Sequence, residues 1–173
     1  PETRQELGIG QEGLLLVSGS NVMRGYWNDP ARTASAIQDG WYVTGDMAKL
    51  DVEGFITLTG RLSRFAKIAG EMAPLGQIED ALLNLLDTTD QLLAVTSISD
   101  ESRGERIVVA YTSDIDPASL VHGMKDKGYP NLWIPKPVDF IRVAALPILG
   151  TGKLDLMALR RLAEEQALAD IAN

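Results

Sequence analysis

The sequence predicts an α+β chain in two parts, a β-rich segment to about residue 60 and then a unit of about three strands and three helices. Three observations carry this. Phe55-Ile56-Thr57-Leu58-Thr59 alternates with period two behind the turn signal Asp51-Val52-Glu53-Gly54. Pro74 is followed by Leu75, Ile78, Leu82 and Leu85, the spacing of one apolar helix face. Residues 91–98 and 106–112 are apolar and rich in β-branched side chains, joined by the polar Asp100-Glu101-Ser102-Arg103-Gly104-Glu105, as expected of paired strands.

In order along the chain, Gly13-Leu14-Leu15-Leu16-Val17-Ser18 reads as a short buried strand. Asn28-Asp29-Pro30 marks a turn, and residues 31–37 form a short helix after it. Asp39-Gly40 is a tight-turn dipeptide leading into a strand over 41–44, with Asp46 following Gly45 at its end. Residues 47–50 and 55–59 are the two arms of a hairpin. Pro74 opens a helix at its first position, with Glu79 and Asp80 on the face away from the leucines. Asp116-Pro117 is an N-cap followed by Pro at N1, and Gly128 closes that helix about three turns on. Trp133-Ile134-Pro135-Lys136-Pro137 excludes regular structure; residues 138–143 are a third strand. Asp155 caps a last amphipathic helix carrying Leu156, Leu159, Leu162 and Ala163. The expected parts are residues 1–60 and 61–173, without a long linker, so relative movement would pivot on very few residues near Gly60 to Ser63.

Composition excludes several functions. A net charge of -8 and no cluster of basic residues argue against binding nucleic acid through its phosphates. There are no cysteines, hence no disulfide, thiolate nucleophile or Cys-based metal site. His122 is the single histidine, which argues against a Ser-His-Asp hydrolase or a His-cluster metal site; it reads as a helix-surface residue. No apolar run reaches the ~20 residues of a membrane-spanning helix. The first residues, Pro1-Glu2-Thr3-Arg4, show neither an initiator Met nor a signal-peptide pattern, and the chain is expected to be a piece of a longer one.

Four signals have chemistry in them, each with a plainer alternative. Asp46 could accept hydrogen bonds from the vicinal hydroxyls of a ribose, or it could be a turn aspartate bonding its own backbone. Arg61, beyond the hairpin, could meet the same sugar or phosphate, or be a surface arginine. Gly150-Thr151-Gly152-Lys153 is not a Walker loop, because Pro147 stands where the motif needs Gly and Leu154 where it needs Ser or Thr. It reads instead as a glycine hairpin swinging an ammonium into a site, or as a solvated loop lysine. At ~4 Å and an effective dielectric of ~20 such a charge is worth about 4 kcal/mol to an anionic transition state. That corresponds to about a thousandfold in rate. Lys67, in a hairpin or loop before Pro74, is a second candidate cation or a strand-edge charge that discourages aggregation.

Taken in order and spacing, these residues resemble the late motifs of the acyl-adenylate-forming enzymes: acyl-CoA synthetases, acyl carrier protein ligases, peptide-synthetase adenylation domains and luciferases. Gly40-Trp41-Tyr42-Val43-Thr44-Gly45-Asp46 resembles the ribose-binding motif, which implies Asp46 as ribose ligand and Thr44 within the nucleotide-binding set. Gly60-Arg61 resembles the start of the hinge motif, implying Arg61 as the second ribose contact, Leu58 as a wall near the nucleotide and Ser63 as hinge. Leu146-Pro147 through Lys153 resembles the C-terminal motif and makes Lys153 the adenylation lysine. Lys67 matches the lysine presented for the second half-reaction, with Gly70 and Glu71 as the loop shaping the thiol's approach. Ser63 stands where the family usually has Asp or Lys, and Arg64-Phe65-Ala66-Lys67-Ile68-Ala69-Gly70-Glu71-Met72 departs from the common pattern. Those departures resemble one branch, the acyl carrier protein synthetase half of the bifunctional 2-acylglycerophosphoethanolamine acyltransferases.

The resemblance implies the β-rich end of a large adenylating domain (1–60) and a mobile small C-terminal domain (61–173). It implies ATP and AMP as nucleotides, Mg2+ held mainly by an upstream domain, and the phosphopantetheine thiol of acyl carrier protein, or CoA, as acceptor of a fatty acyl group. An onward transfer to a lysophospholipid would use an active site outside these residues. It also implies a cytoplasmic protein, at the cytoplasmic face of the inner membrane for the bifunctional branch. A non-catalytic module docking a carrier protein is the competing class. Asp46, Arg61 and Lys153 together favour the enzyme, since a docking module has no use for a ribose carboxylate.

Overall fold

The computed structural model describes residues 5–172, with side chains through residue 169. It divides into two compact units, Pro1–Ser63 and Arg64–Asn173. The division falls three residues beyond the expected one between 60 and 61, so Arg61 belongs with the first unit.

The first unit is an antiparallel sheet built on one long strand. β1 (Glu12–Val17) pairs along one edge of β3 (Trp41–Leu50), while β2 (Ile37–Gln38) and β4 (Ile56–Arg61) share the other. Helix α1 (Pro30–Ala36) precedes β2; Asp29 caps it by accepting the Arg32 N–H at 2.9 Å, and Pro30 stands at the first position where no N–H is needed. The β2–β3 turn has Asp39 at φ 53° and Gly40 at φ 81°, the double left-handed geometry of a tight hairpin. The Asp51 carboxylate accepts the Glu53 and Phe55 amides and so shapes the β3–β4 turn.

The second unit is a sheet with helices on both faces. β5 (Phe65–Ile68) and β6 (Glu71–Pro74) form a hairpin, followed by α2 (Leu75–Leu85), β7 (Leu93–Asp100), β8 (Gly104–Tyr111), α3 (Pro117–Asp126), β9 (Phe140–Arg142) and α4 (Leu156–Ala172). The strand order is β6-β5-β8-β7, with β9 parallel to the far end of β8. Alternate residues of β7 and β8 go to opposite faces. Leu93, Val95, Ile107 and Val109 pack with Ile78 and Leu82 of α2 and with Leu120, Val121 and Met124 of α3. Ala94, Ile98, Val108 and Ala110 pack with Leu159 and Ala163 of α4. Both faces being covered explains why the two strands read as continuous apolar runs rather than alternating ones.

The α+β class and the three helices of the second unit stand as expected, and the strands number five rather than three. The extra pair is the β5–β6 hairpin, whose turn residues Ala69 and Gly70 both have positive φ, 51° and 88°. Pro74 is the N-cap of α2, one position before the expected one. Glu79 is buried instead of solvent-facing. Trp133 and Pro137 belong to two single 3-10 turns, Asn131–Trp133 and Pro137–Asp139.

Candidate active site

In the first unit the site begins with a break in a ladder. Leu14 of β1 opposes Met47, but Leu16 opposes Val43, so one intervening residue on β1 faces Thr44-Gly45-Asp46 on β3. Asp46 thus sits on a mid-strand bulge, not at the strand's end. Bulges re-aim side chains, and this one needs Gly45, which has φ 78°. The polar groups freed by the bulge are re-paired by one side chain: the Thr44 hydroxyl donates to the Leu15 carbonyl at 2.9 Å and accepts the Asp46 N–H at 3.0 Å. Thr44 therefore spends its proton inside the fold and holds the backbone of Asp46.

On the other edge Asp46 is in register with Arg61, and Arg61 Nε lies 2.7 Å from Asp46 Oδ1. The side chains are 23% and 64% exposed, so as a stability element the pair is worth at most about 1 kcal/mol. Its chemistry matters more. A carboxylate, which accepts at two oxygens, and a guanidinium, which donates through five N–H groups, thus stand side by side, with more capacity than this one contact uses. Tyr42 lies in the same electrostatic neighbourhood; a hydrogen bond with Tyr26 raises its pKa, opposed in part by the positive charge of Arg61. Leu58 is 62% exposed on β4, opposite Ala48. Ser63 is in the 3-10 turn Leu62–Arg64, the last residue of its unit.

In the second unit Lys67 is on β5 and exposed, opposite Met72 across the hairpin; Gly70 and Glu71 are at its tip. Lys153 is at the end of a closed hairpin. The Leu149 N–H bonds the Lys153 carbonyl at 2.7 Å, the Gly152 N–H bonds the Leu149 carbonyl at 2.8 Å, and Ile148 bridges Leu154. Gly152 has φ 82°, so the glycine is required by the turn. Two residues on, Asp155 caps α4 by accepting the Met157 and Ala158 amides, which ties the lysine's backbone to a long helix. No carboxylate among the described residues forms an ion pair with Lys153.

Two acidic residues were not expected in the site's support. Glu79 Oε2 accepts the Val95 N–H at 2.8 Å and lies 3.0 Å from Arg64 Nη2, while Arg64 Nη1 donates to the Val95 carbonyl at 2.9 Å. This buried pair closes both polar groups of one residue on the outer edge of β7. Glu105 binds the backbone of Lys67. A helix-face reading puts Glu79 outward because its partner lies 15 positions earlier. No group of three His, Asp or Glu side chains gathers as a metal site among the described residues.

No protein-family model matches the chain. It is 33% identical over 173 residues to the vibriobactin-specific 2,3-dihydroxybenzoate-AMP ligase of Vibrio cholerae, covering 97% of this chain and 31% of that protein. It is 31% identical over 169 residues to a long-chain-fatty-acid–CoA ligase of Bacillus subtilis, covering 95% and 29%. In structure it is similar to ATP-bound MatB of Rhodopseudomonas palustris, with a TM-score of 0.73 and 30% identity over 94% of this chain and 32% of that one. The chain spans about a third of the length of the relatives it matches. Its mixed α+β fold matches the C-terminal domain of adenylating enzymes, and in sequence and fold together the chain is similar to the adenylate-forming ligases.

Proposed function

We propose that the chain is the C-terminal part of an ATP-dependent fatty acid ligase, formed by the β-rich end of a large adenylating domain and a small mobile domain. The observation that carries this is the Asp46–Arg61 pair, held beside a bulge so that a carboxylate and a guanidinium stand together with part of each side chain exposed. Asp46 accepts hydrogen bonds from the ribose hydroxyls of the nucleotide, Arg61 donates to the same sugar or its phosphate, and Leu58 supplies an apolar wall. Lys153 neutralises charge around the acyl-phosphate bond as a fatty acid carboxylate displaces pyrophosphate from the α-phosphate of ATP. Rotation at Ser63 then exchanges Lys153 for Lys67 and the Gly70-Glu71 tip, beside which a phosphopantetheine thiol displaces AMP.

The acceptor proposed is acyl carrier protein, on the resemblance of residues 64–72, and the acyl group passes onward to a lysophospholipid at a site outside these residues. The relatives favour a second reading, a CoA ligase, since one is a long-chain-fatty-acid–CoA ligase. The location proposed with this reading is the cytoplasm, at the cytoplasmic face of the inner membrane for the phospholipid step, and it rests on the resemblance of residues 64–72.

Half-reactions measured separately test the roles. In the ligase joined to its adenylating domain, Lys153→Ala should abolish ATP–pyrophosphate exchange and spare thiol transfer from supplied acyl-AMP; equal loss of both refutes the assignment. The 173 residues alone should make no acyl-AMP, and exchange by them would sink the division of labour. Acyl transfer to carrier protein but not CoA separates the first acceptor from the second.

A further inference from the structure

We propose that Glu105 is the positioning residue for the Lys67 hairpin, an inference that rests on the two-step reading above. The hairpin packs Ala66, Ile68 and Ala73 into the core, but its backbone is joined to the rest of the sheet at few points. β5 meets β8 at one register pair, Ile68 with Gly104, beside the bond from the Ala69 N–H to the Arg103 carbonyl, and elsewhere has β6 as its strand neighbour. Where the ladder stops, a side chain replaces it: Glu105 Oε2 accepts the Lys67 backbone N–H at 2.6 Å, a short charge-assisted bond. The residue before it makes this reach possible. Gly104 has φ 83°, and a Cβ there would stand 3.3 Å from the Lys67 carbonyl oxygen, so β8 passes Lys67 at a distance that side chains rarely tolerate.

The carboxylate is itself fixed. Its other oxygen accepts the Ser97 hydroxyl of β7 at 2.8 Å, and Arg160 of α4 comes within 3.9 Å of that oxygen. Glu105 therefore fastens the strand bearing Lys67 to β7 and β8, and lies near Arg160 of the helix that starts three residues after Lys153. A hairpin tip displaced by an ångström loses much of the value of its charge, since catalytic groups act only within narrow geometry. Glu105 has no role toward the nucleotide in this scheme, so its removal falls on the second half-reaction.

The test uses the ligase joined to its adenylating domain, with ATP–pyrophosphate exchange and thiol transfer from supplied acyl-AMP read separately. Glu105→Ala is expected to slow thiol transfer by about tenfold, the effect of one lost charge-assisted bond, and to change exchange by less than about twofold. Glu105→Gln keeps an acceptor oxygen and should recover most of the rate. Added to Lys67→Ala, the Glu105→Ala change should cost nothing further, because the two act through one group. Should Glu105→Ala not fold, Ser97→Ala, which frees the carboxylate from β7, is read in the same two assays and should likewise slow thiol transfer while sparing exchange. Equal loss of both half-reactions, or an effect additive with Lys67→Ala, overturns the proposal. Absence of exchange in the unsubstituted ligase overturns the two-step reading and this inference together; intact exchange without selective loss overturns this inference alone.

Discussion

Among the described residues, the buried apolar side chains of the first unit are Met47 and Ala48, while the second holds Leu82, Leu93, Val95, Val109, Met124, Leu159 and others at almost no exposure. The first unit instead exposes Phe55, Ile56 and Leu58 along its hairpin. A lone sheet with one bare face is marginal in water, whereas a sheet covered by helices on both faces carries its own stabilisation. The difference teaches where each kind of group is kept. The Asp46–Arg61 pair is held by local hydrogen bonds, above all those of Thr44. The lysines sit on a unit with a complete core, so each can be carried as part of a rigid body.

The contrast can be broken most directly in the core. Leu82→Ala should destabilise the chain by about 2–5 kcal/mol in urea unfolding, and Ile56→Ala on the exposed hairpin by less than about 0.5 kcal/mol. Comparable losses from the two would erase the distinction. Glu79→Ala comes next. It strands the Arg64 guanidinium and the Val95 N–H, for about 3 kcal/mol, with unfolding again the measure; a loss as small as that of Ile56→Ala would mean the pair is solvated. The smallest effect sharpens the picture at an exposed turn. The Ser102 hydroxyl and amide, and the Arg103 amide, bond Asp100 and hold its pKa below the usual carboxylate value. The stability this lends is present above about pH 4, the unfolded value, and fades as pH falls through the depressed one. The gap in unfolding midpoint between the wild type and Asp100→Asn should therefore shrink in acid; a gap constant down to pH 2 would contradict the hydrogen-bond origin.

Much of the fold is readable from local signals. Asp116-Pro117 and Asp155 mark helix starts because an N-cap acts over two or three residues, and those caps form here. Asp39-Gly40 and Asp51 shape their turns for the same reason. What escapes is set by distant partners. The bulge at Thr44-Gly45-Asp46 depends on how many residues β1 offers opposite it; Gly45 inside β3 hints at a bulge, but its register is set by β1. Glu79 looks like a surface residue until Arg64 is brought to it. The β5–β6 hairpin lacks an Asn-Gly or Asp-Gly turn and uses Ala69-Gly70, so its strands went uncounted. In the site, the meeting of Asp46 and Arg61 follows from hairpin register, and a glycine-turn lysine at 153 is legible in its own segment. Glu105 is not, since its target is a backbone N–H 38 positions away.

Ala69 has a consequence for how the hairpin behaves as an object. An alanine at φ 51° lies in a conformation that costs a residue with a Cβ roughly 1 kcal/mol, and the Arg103 carbonyl holds its N–H at 2.7 Å. Glycine there would relieve the cost and add slack, because it has more conformations to wander among. With alanine, the turn has fewer conformations open to it, and the Arg103 carbonyl holds it in this one. Glu71 then rides at the end of a stiff lever, and any displacement at the root of β5 is delivered to the tip undiminished.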